Sequence, residues 1–294
     1  MGNDRRRLAL ILMAPAMAGL VFFVVVPFFL AVGLSFTDIR LGSPLTATFV
    51  GLKQYAAILR DPVFGRAFLN NVLFAAIIVP VQTGLALGLA LLLNRPLRGM
   101  PLFRTLFFMP VVFPISLVAV VWILIFAPGP DGVLNSLLAT VTFGAWTPVD
   151  FLHDTAYALV AVAVTSIWQG GGFQMVVLLA GLQSIDGALY EAAAMDGAGR
   201  FRQFRHVTLP GLRNPLVFVV IVTSILSFRL FDQVRIMTGG GPADATATVV
   251  FASVRAAFDR AQLARGAAMA VLFFIVVLAL TLIQRRLFRQ NREG

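Results

Sequence analysis

The chain contains no cysteine, a single lysine and two histidines, and only 12% of its 294 residues are charged. Soluble domains carry about 25% charged residues, so a water-soluble globule is ruled out. Without cysteine there is no disulfide framework, iron-sulfur cluster or thiolate metal site, and two histidines far apart do not make a catalytic metal centre. The lone Lys53 is followed by Gln54 and lacks the glycine spacing of a phosphate loop, so no Walker A motif is present. Carboxylates are absent from the long apolar runs: all 13 Asp and Glu fall outside them, Asp232 just past the end of one. Proton-coupled and sodium-coupled carriers usually keep an ion site near the membrane midplane, which counts against a secondary carrier. A basic binding stripe is also missing, because 22 of the 23 basic residues are arginines scattered through short loops. That pattern reports membrane topology and not nucleic acid.

What the chain does have is apolar length. Hydrophobic residues make up 59% of it, and six runs stand out: 8–34, 67–93, 105–126, 155–180, 214–231 and 266–283. A membrane-crossing helix needs about 20 apolar residues, so each run suffices. The fold class expected is an all-α integral membrane protein with six transmembrane helices, forming one transmembrane domain over residues 1–294, with little chain left for an extramembrane domain. Arg5, Arg6 and Arg7 ahead of the first run imitate a signal peptide, but the run is too long and no small-residue cleavage site closes it, so it reads as a retained helix. With the N-terminus cytoplasmic, the inner segments hold 14 Lys or Arg in 62 residues and the outer segments 8 in 94. This asymmetry predicts both termini on the cytoplasmic side.

Several features inside the runs admit two readings. Pro15, Pro27, Pro80, Pro110 and Pro114 each remove a backbone hydrogen bond and predict kinks or gating hinges. Gly84 and Gly88 form a small-xxx-small stripe that predicts close helix approach. Trp122 and Trp168 are interface anchors or sugar-stacking platforms. Gly170, Gly171 and Gly172 weaken the fourth run, where an unwound backbone could face a cavity. Arg229, inside the fifth run, either pairs with Asp232 at i, i+3 or contacts a phosphate or several hydroxyls of a solute.

The loop between the fourth and fifth runs, residues 184–212, is too ordered to be a tether. Tyr190 to Met195 is strongly helix-forming, Gly197 and Gly199 can end the turn, and a polar stretch from Arg200 to His206 leads to Leu209-Pro210-Gly211. Glu191 reads as a residue near the helix start, favourable to the helix dipole, and His206 as a solvated loop residue.

Glu191-Ala192-Ala193, three residues, Gly197, nine residues, Val207, one residue, then Leu209-Pro210 resembles the EAA loop of binding-protein-dependent ABC importer permeases, with valine in place of the usual isoleucine. The segments Leu178–Ile185, Gly51–Tyr55, Asn70-Asn71, Phe231-Asp232 and Met237–Pro242 are similar to the carbohydrate-uptake branch of that family. Thr238-Gly239-Gly240-Gly241-Pro242 resembles the maltose-type and glycerol-phosphate-type first permease. Asp186-Gly187 departs from the proline that commonly follows the isoleucine.

The resemblance implies a type I ABC importer permease fold in a bacterial or archaeal inner membrane. It implies a heterodimer with a second permease, two ATPase subunits that hold ATP and magnesium, and an extracytoplasmic solute-binding protein, with no cofactor and no catalysis in this chain. Transport of a sugar, oligosaccharide or glycerophosphate-type solute would proceed by ATP-driven alternating access. Coupling to an ATPase subunit falls on Glu191, Ala192, Ala193, Asp196, Gly197, Leu209 and Pro210. Counted without gaps onto the maltose-type permeases, the solute-contacting positions fall on Ser166, Gln169, Gly170, Thr223 and Ser227, to which Arg229 is added. Two further positions fall on Val111 and Ile115, which cannot hydrogen-bond, so the maltose-like pattern is only partly kept. A passive channel or structural membrane subunit would have no use for the coupling loop.

Overall fold

The computed structural model describes residues 12–44, 46–95 and 97–290, and Arg5, Arg6, Arg7 and the start of the first predicted run, Leu8 to Ile11, lie outside them. The described chain is helix and loop apart from one isolated antiparallel bridge between Thr37 and Phe49. Four helices are long and apolar enough to cross a membrane: α1 (Leu12–Ser35), α3 (Pro62–Leu93), α7 (Ala158–Gln183) and α12 (Leu263–Gln290). Two bent pairs bring the number to six if each pair is one span.

The predicted run 105–126 is one of those pairs and is not a straight helix. It comprises α4 (Met100–Phe108), extended by a 3₁₀ turn over Met109–Val112, and α5 (Ile115–Ile125), bent by 102° at Phe113-Pro114. Pro114 disfavours the helical conformation at the residue before it, and Phe113 is extended at ψ 141°. The run 214–231 likewise belongs to a pair: α9 (Arg200–Gly211) and α10 (Arg213–Phe228) meet at Leu212 with a bend of 66°. Two sequence readings are corrected here. His206 lies in a π-helical turn of α9 and not in a loop, and Arg229 follows the last residue of α10 and is not inside a helix.

The remaining helices are short: α2 (Lys53–Leu59), α6 (Val133–Val141), α8 (Gly187–Met195) and α11 (Val249–Val254). In α1, a π-helical turn at Val21–Val25 stands just before Pro27, which has no N–H to return to the carbonyl four residues back. Proline is not always a bend, since α3 runs through Pro80 as one helix.

The chain divides into two compact units. One runs to Gly65 and includes Ala252–Val276; the other takes Arg66–Phe251 and the chain from Val277 onward. In the first, Asp61 accepts from the Val63 N–H at the start of α3 (2.9 Å) and forms an ion pair with Arg265. Ser35 and Tyr55 share a 2.6 Å hydrogen bond, and Phe28 meets the Phe274 ring edge-on at 4.9 Å. Asp38 accepts from the backbone N–H and the hydroxyl of Thr48, and these bonds hold its carboxyl below the ordinary value.

The second unit has two apolar clusters. Phe74, Ile78, Ala119, Phe126, Val162, Val234 and Phe251 belong to one; Ala86, Ala90, Met175, Leu178, Leu212 and Val219 belong to the other. Alanines recur in both because lipid supplies no hydrophobic drive between helices, and small side chains let the backbones approach within dispersion range. Gly181 works the same way: an added Cβ would lie 2.6 Å from the Pro215 ring. Asn70 donates to the carbonyls of Asp244 and Ala247 (both 2.9 Å), and Asn71 accepts from the Val249 N–H (2.9 Å), so this pair staples the glycine-rich loop to α3.

One glycine reading is overturned, and a second finds no neighbour within this chain. The triple glycine does not unwind α7, which is continuous from Ala158 to Gln183. Gly84 and Gly88 mark no close approach within the described residues, for a Cβ on either would meet nothing within 4 Å.

Candidate functional site

Helical periodicity brings three stripes to one place in the second unit. Residues four apart share a helix face: Phe74, Ile78 and Gln82 on α3, Ser166, Gly170 and Gln174 on α7, and Val219, Thr223 and Ser227 on α10. They line a cavity of about 420 Å³, closed on other sides by Val111 and Ile115 flanking the α4–α5 bend and by Arg229 to Gln233 beyond α10. The volume lies in the range of small-molecule sites. All six residues singled out for a solute, Ser166, Gln169, Gly170, Thr223, Ser227 and Arg229, line this one cavity, as do the apolar Val111 and Ile115.

The polar wall is largely amide. The Ser166 hydroxyl donates to Gln233 Oε1 (2.5 Å), Gln233 Nε2 donates to Gln169 Oε1 (3.4 Å), and Gln169 Nε2 donates to the Phe113 carbonyl (3.2 Å). This relay ends on the carbonyl at the α4–α5 bend. A second pair lies deeper. Thr223 donates its proton to the Val219 carbonyl (2.7 Å), so its oxygen accepts from Gln174 Nε2 (2.5 Å). With its proton committed, Thr223 serves as a support for Gln174. Ser227 donates to the Ser224 carbonyl (2.8 Å).

The Arg229–Asp232 pair expected at i, i+3 does not form. Both side chains line the cavity, and among the described residues neither takes an ion-pair or hydrogen-bond partner. The aromatic platform is also absent from the cavity: Trp122 and Trp168 do not line it but meet each other edge-to-face at 5.8 Å. Sequence reasoning missed Gln82, Gln174 and Gln233. The signal for the first two was available, since an amide in an apolar run needs a partner or a purpose.

Residues 184–212 form a helical hairpin. Asp186 caps α8 by accepting from the Ala188 N–H (3.0 Å), which explains how this chain dispenses with proline there. Glu191 is therefore the fifth residue of α8 and lies past the first turn, contrary to its expected place at the helix start. After Asp196, Gly197 takes a left-handed conformation at φ +73°, and the Ala198 N–H returns to the Ala193 carbonyl at 2.9 Å. Tyr190 and Thr208 share a 3.0 Å hydrogen bond that ties α8 to α9, and Gln203 donates to the Ala198 carbonyl (3.1 Å) in the turn between them. Glu191, Ala192, Asp196, Gly197 and Pro210 are exposed, whereas Ala193 and Leu209 are half-buried.

Comparisons with known proteins agree with this architecture. Residues 81–293 match the family described as binding-protein-dependent transport system inner membrane component. The chain is 35% identical over 295 residues to the probable ABC transporter permease protein YurN of Bacillus subtilis, covering all of both chains. It is 34% identical to the sulfoquinovosyl glycerol transport system permease protein SmoG of Agrobacterium fabrum, covering 97% of this chain and 91% of that one. The fold matches that of a chain in the crystal structure of a bacterial alginate ABC transporter in complex with an alginate pentasaccharide-bound periplasmic protein, at TM-score 0.84 and 21% identity over 98% of this chain and 96% of that one. The chain belongs to the binding-protein-dependent transport system inner membrane component family, as a non-catalytic permease subunit of an ABC importer whose ATPase activity resides in partner subunits.

Proposed function

We propose that this chain is the first-permease half of a heterodimeric importer for a sugar, oligosaccharide or glycerophosphate-type solute, working as a single permease domain with both termini cytoplasmic. Its partners are a second permease, two ATPase subunits that hold ATP and magnesium, and an extracytoplasmic solute-binding protein. Its setting is a bacterial or archaeal inner membrane. The observation that carries the reading is the cavity: four glutamines, three hydroxyl residues, the Arg229 guanidinium and the Asp232 carboxylate line a space otherwise bounded by Gly170 and apolar side chains. Amides and hydroxyls suit a solute rich in hydroxyl groups, and sulfoquinovosyl glycerol in the name of one relative is such a solute, with an anionic group besides.

Arg229 is the natural partner of such an anionic group. Hydrogen bonds to a charged group contribute about 1.5–3 kcal/mol, so Arg229→Gln is expected to raise the half-saturation concentration for uptake roughly tenfold or more. Asp232→Asn should not rescue it, since the two side chains are not paired. Unchanged uptake in Arg229→Gln, or full rescue by Asp232→Asn, would remove Arg229 from the solute path.

Sidedness has its own test. Asp131 and Asp150 are expected outside and Arg98 and Arg202 inside, because residues 127–154 hold no Lys or Arg. Single cysteines introduced into this cysteine-free chain can be treated with an impermeant maleimide in intact cells. Labelling at position 131 but not 202 is expected; the reverse would invert the topology.

Residues 184–212 are the proposed coupling element, with Glu191, Ala192, Ala193, Asp196, Gly197, Leu209 and Pro210 at or beside the contact with an ATPase subunit. Support comes from the apolar surface of the hairpin: Met195 is 89% exposed, and Leu189 and Phe201 on the same hairpin are exposed too. Apolar groups held out on a stapled hairpin suit burial in a partner's cleft.

A further inference from the structure

Gln82 sits in the middle of α3, within an apolar run, and is only 6% exposed. Among the described residues its side chain makes no hydrogen bond, although it lines the cavity. The three other glutamines of the cavity wall each make a hydrogen bond, Gln169 with Phe113, Gln233 with Gln169 and Ser166, and Gln174 with Thr223, although the Gln174 Oε1 is buried without a partner. Gly170 leaves room for the Gln82 amide. A Cβ added there would collide with Gln82 Nε2, so the amide lies against α7 at a position that has no side chain of its own.

We infer that Gln82, seated on Gly170, reads a pair of neighbouring hydroxyls on a polyhydroxylated solute, offering an N–H to one and a carbonyl oxygen to the other. The inference rests on the cavity being the solute's path. An amide with no protein partner is left to water in the cavity, and a solute that displaces that water matches it only by supplying both an acceptor for the N–H and a donor for the oxygen. A phosphate or carboxylate alone brings acceptors and leaves the Gln82 carbonyl empty; an ammonium alone brings donors and leaves the N–H empty. A vicinal diol brings both. Gly170, carried over from the resemblance as a direct solute contact, instead acts through the amide it seats.

The test uses the complete importer expressed in cells with no other uptake route for the probes. Radiolabelled maltose, sucrose and glycerol 3-phosphate are offered first, followed by the monodeoxy analogues of the best-transported of them. Gln82→Met keeps the side-chain length and apolar packing; Gly170→Ala keeps the amide but displaces it. Rates are normalised to the permease found in the membrane, so if one variant is poorly inserted the other carries the test. Both variants are expected to raise the half-saturation concentration for the parent probe about tenfold while changing that for at least one deoxy analogue less than twofold, and the double variant should add little. A purely structural role would shift parent and analogues alike. Equal shifts for the parent and every analogue, or no shift at all, would overturn the inference and leave the sugar-permease reading standing. Failure of the unaltered importer to take up any probe would defeat that reading, and the role of Gln82 with it.

Discussion

Gly172→Ala is expected to be the most damaging of the three alanine substitutions in the glycine run of α7, costing about 3 kcal/mol or more. The added Cβ would land on the carbonyl oxygen of Phe107 and the Cα of Phe108. Both are backbone atoms, so no rotamer change relieves the clash and α4 must move bodily away from α7. The neighbouring glycines set the controls. Gly171 would meet nothing within 4 Å, so Gly171→Ala should be neutral or stabilising through helix propensity. Gly170→Ala meets only a flexible amide and should cost less than Gly172→Ala. Thermal unfolding of the detergent-purified importer measures the series, with a drop on the order of 5 °C or more for Gly172→Ala and little change for Gly171→Ala. A similar drop at all three positions would mean that the run acts through backbone flexibility and not through close approach.

This series also shows where the sequence is legible. Composition and hydropathy locate all six apolar runs, since each needs only enough consecutive apolar residues. They cannot report direction. Pro114 announces a disturbance, but the 102° bend depends on how α4 and α5 pack against their neighbours. Pro80, the same residue in a similar run, leaves α3 unbroken. The triple glycine was open to misreading for a related reason. Its propensity argues for a weak helix, whereas its use is steric, and the atoms that demand it belong to Phe107 and Phe108, some 65 residues earlier. Arg229 and Asp232 have the spacing of an ion pair, yet spacing on a helix guarantees proximity only while the helix lasts, and α10 ends at Phe228.

The cavity was legible in part. Ser166, Gln169 and Gly170, and Thr223 and Ser227, are positions that the resemblance to maltose-type permeases implies, and helical period adds only that the members of each group share a face. Gln233 escaped notice because it lies beyond α10 and reaches the cavity through the fold, donating to Gln169 and accepting from Ser166. The relay these residues form runs to the Phe113 carbonyl, so the polar wall and the α4–α5 bend are one connected structure. Under the proposed solute path, a solute that competed for the Gln169 amide would act on the bend as well, the kind of differential contact that a shift between two access states requires.

At the other end of the proposed coupling, Gly197→Asp should abolish uptake while leaving the ATPase subunits active and the permease in the membrane. The structure separates two causes that the sequence runs together. Gly197 has φ +73°, a region disfavoured for side chains, and yet a Cβ there would meet nothing within 4 Å in this chain. Crowding inside the hairpin is thus not the difficulty. Asparagine and aspartate tolerate the left-handed region about equally well, so Gly197→Asn carries nearly the same backbone cost as Gly197→Asp and differs from it in charge. If the turn between α8 and α9 is buried against an ATPase subunit, an unpaired carboxylate there is desolvated at a cost of several kcal/mol, and docking fails. The expected order is therefore unaltered chain, then Gly197→Asn with uptake reduced a few-fold, then Gly197→Asp with uptake lost and hydrolysis no longer stimulated by the loaded binding protein. Parallel measurement of uptake and ATP hydrolysis in proteoliposomes checks it. Equal impairment of the two variants would trace the defect to the turn itself, and normal transport by Gly197→Asp would remove this hairpin from the coupling contact.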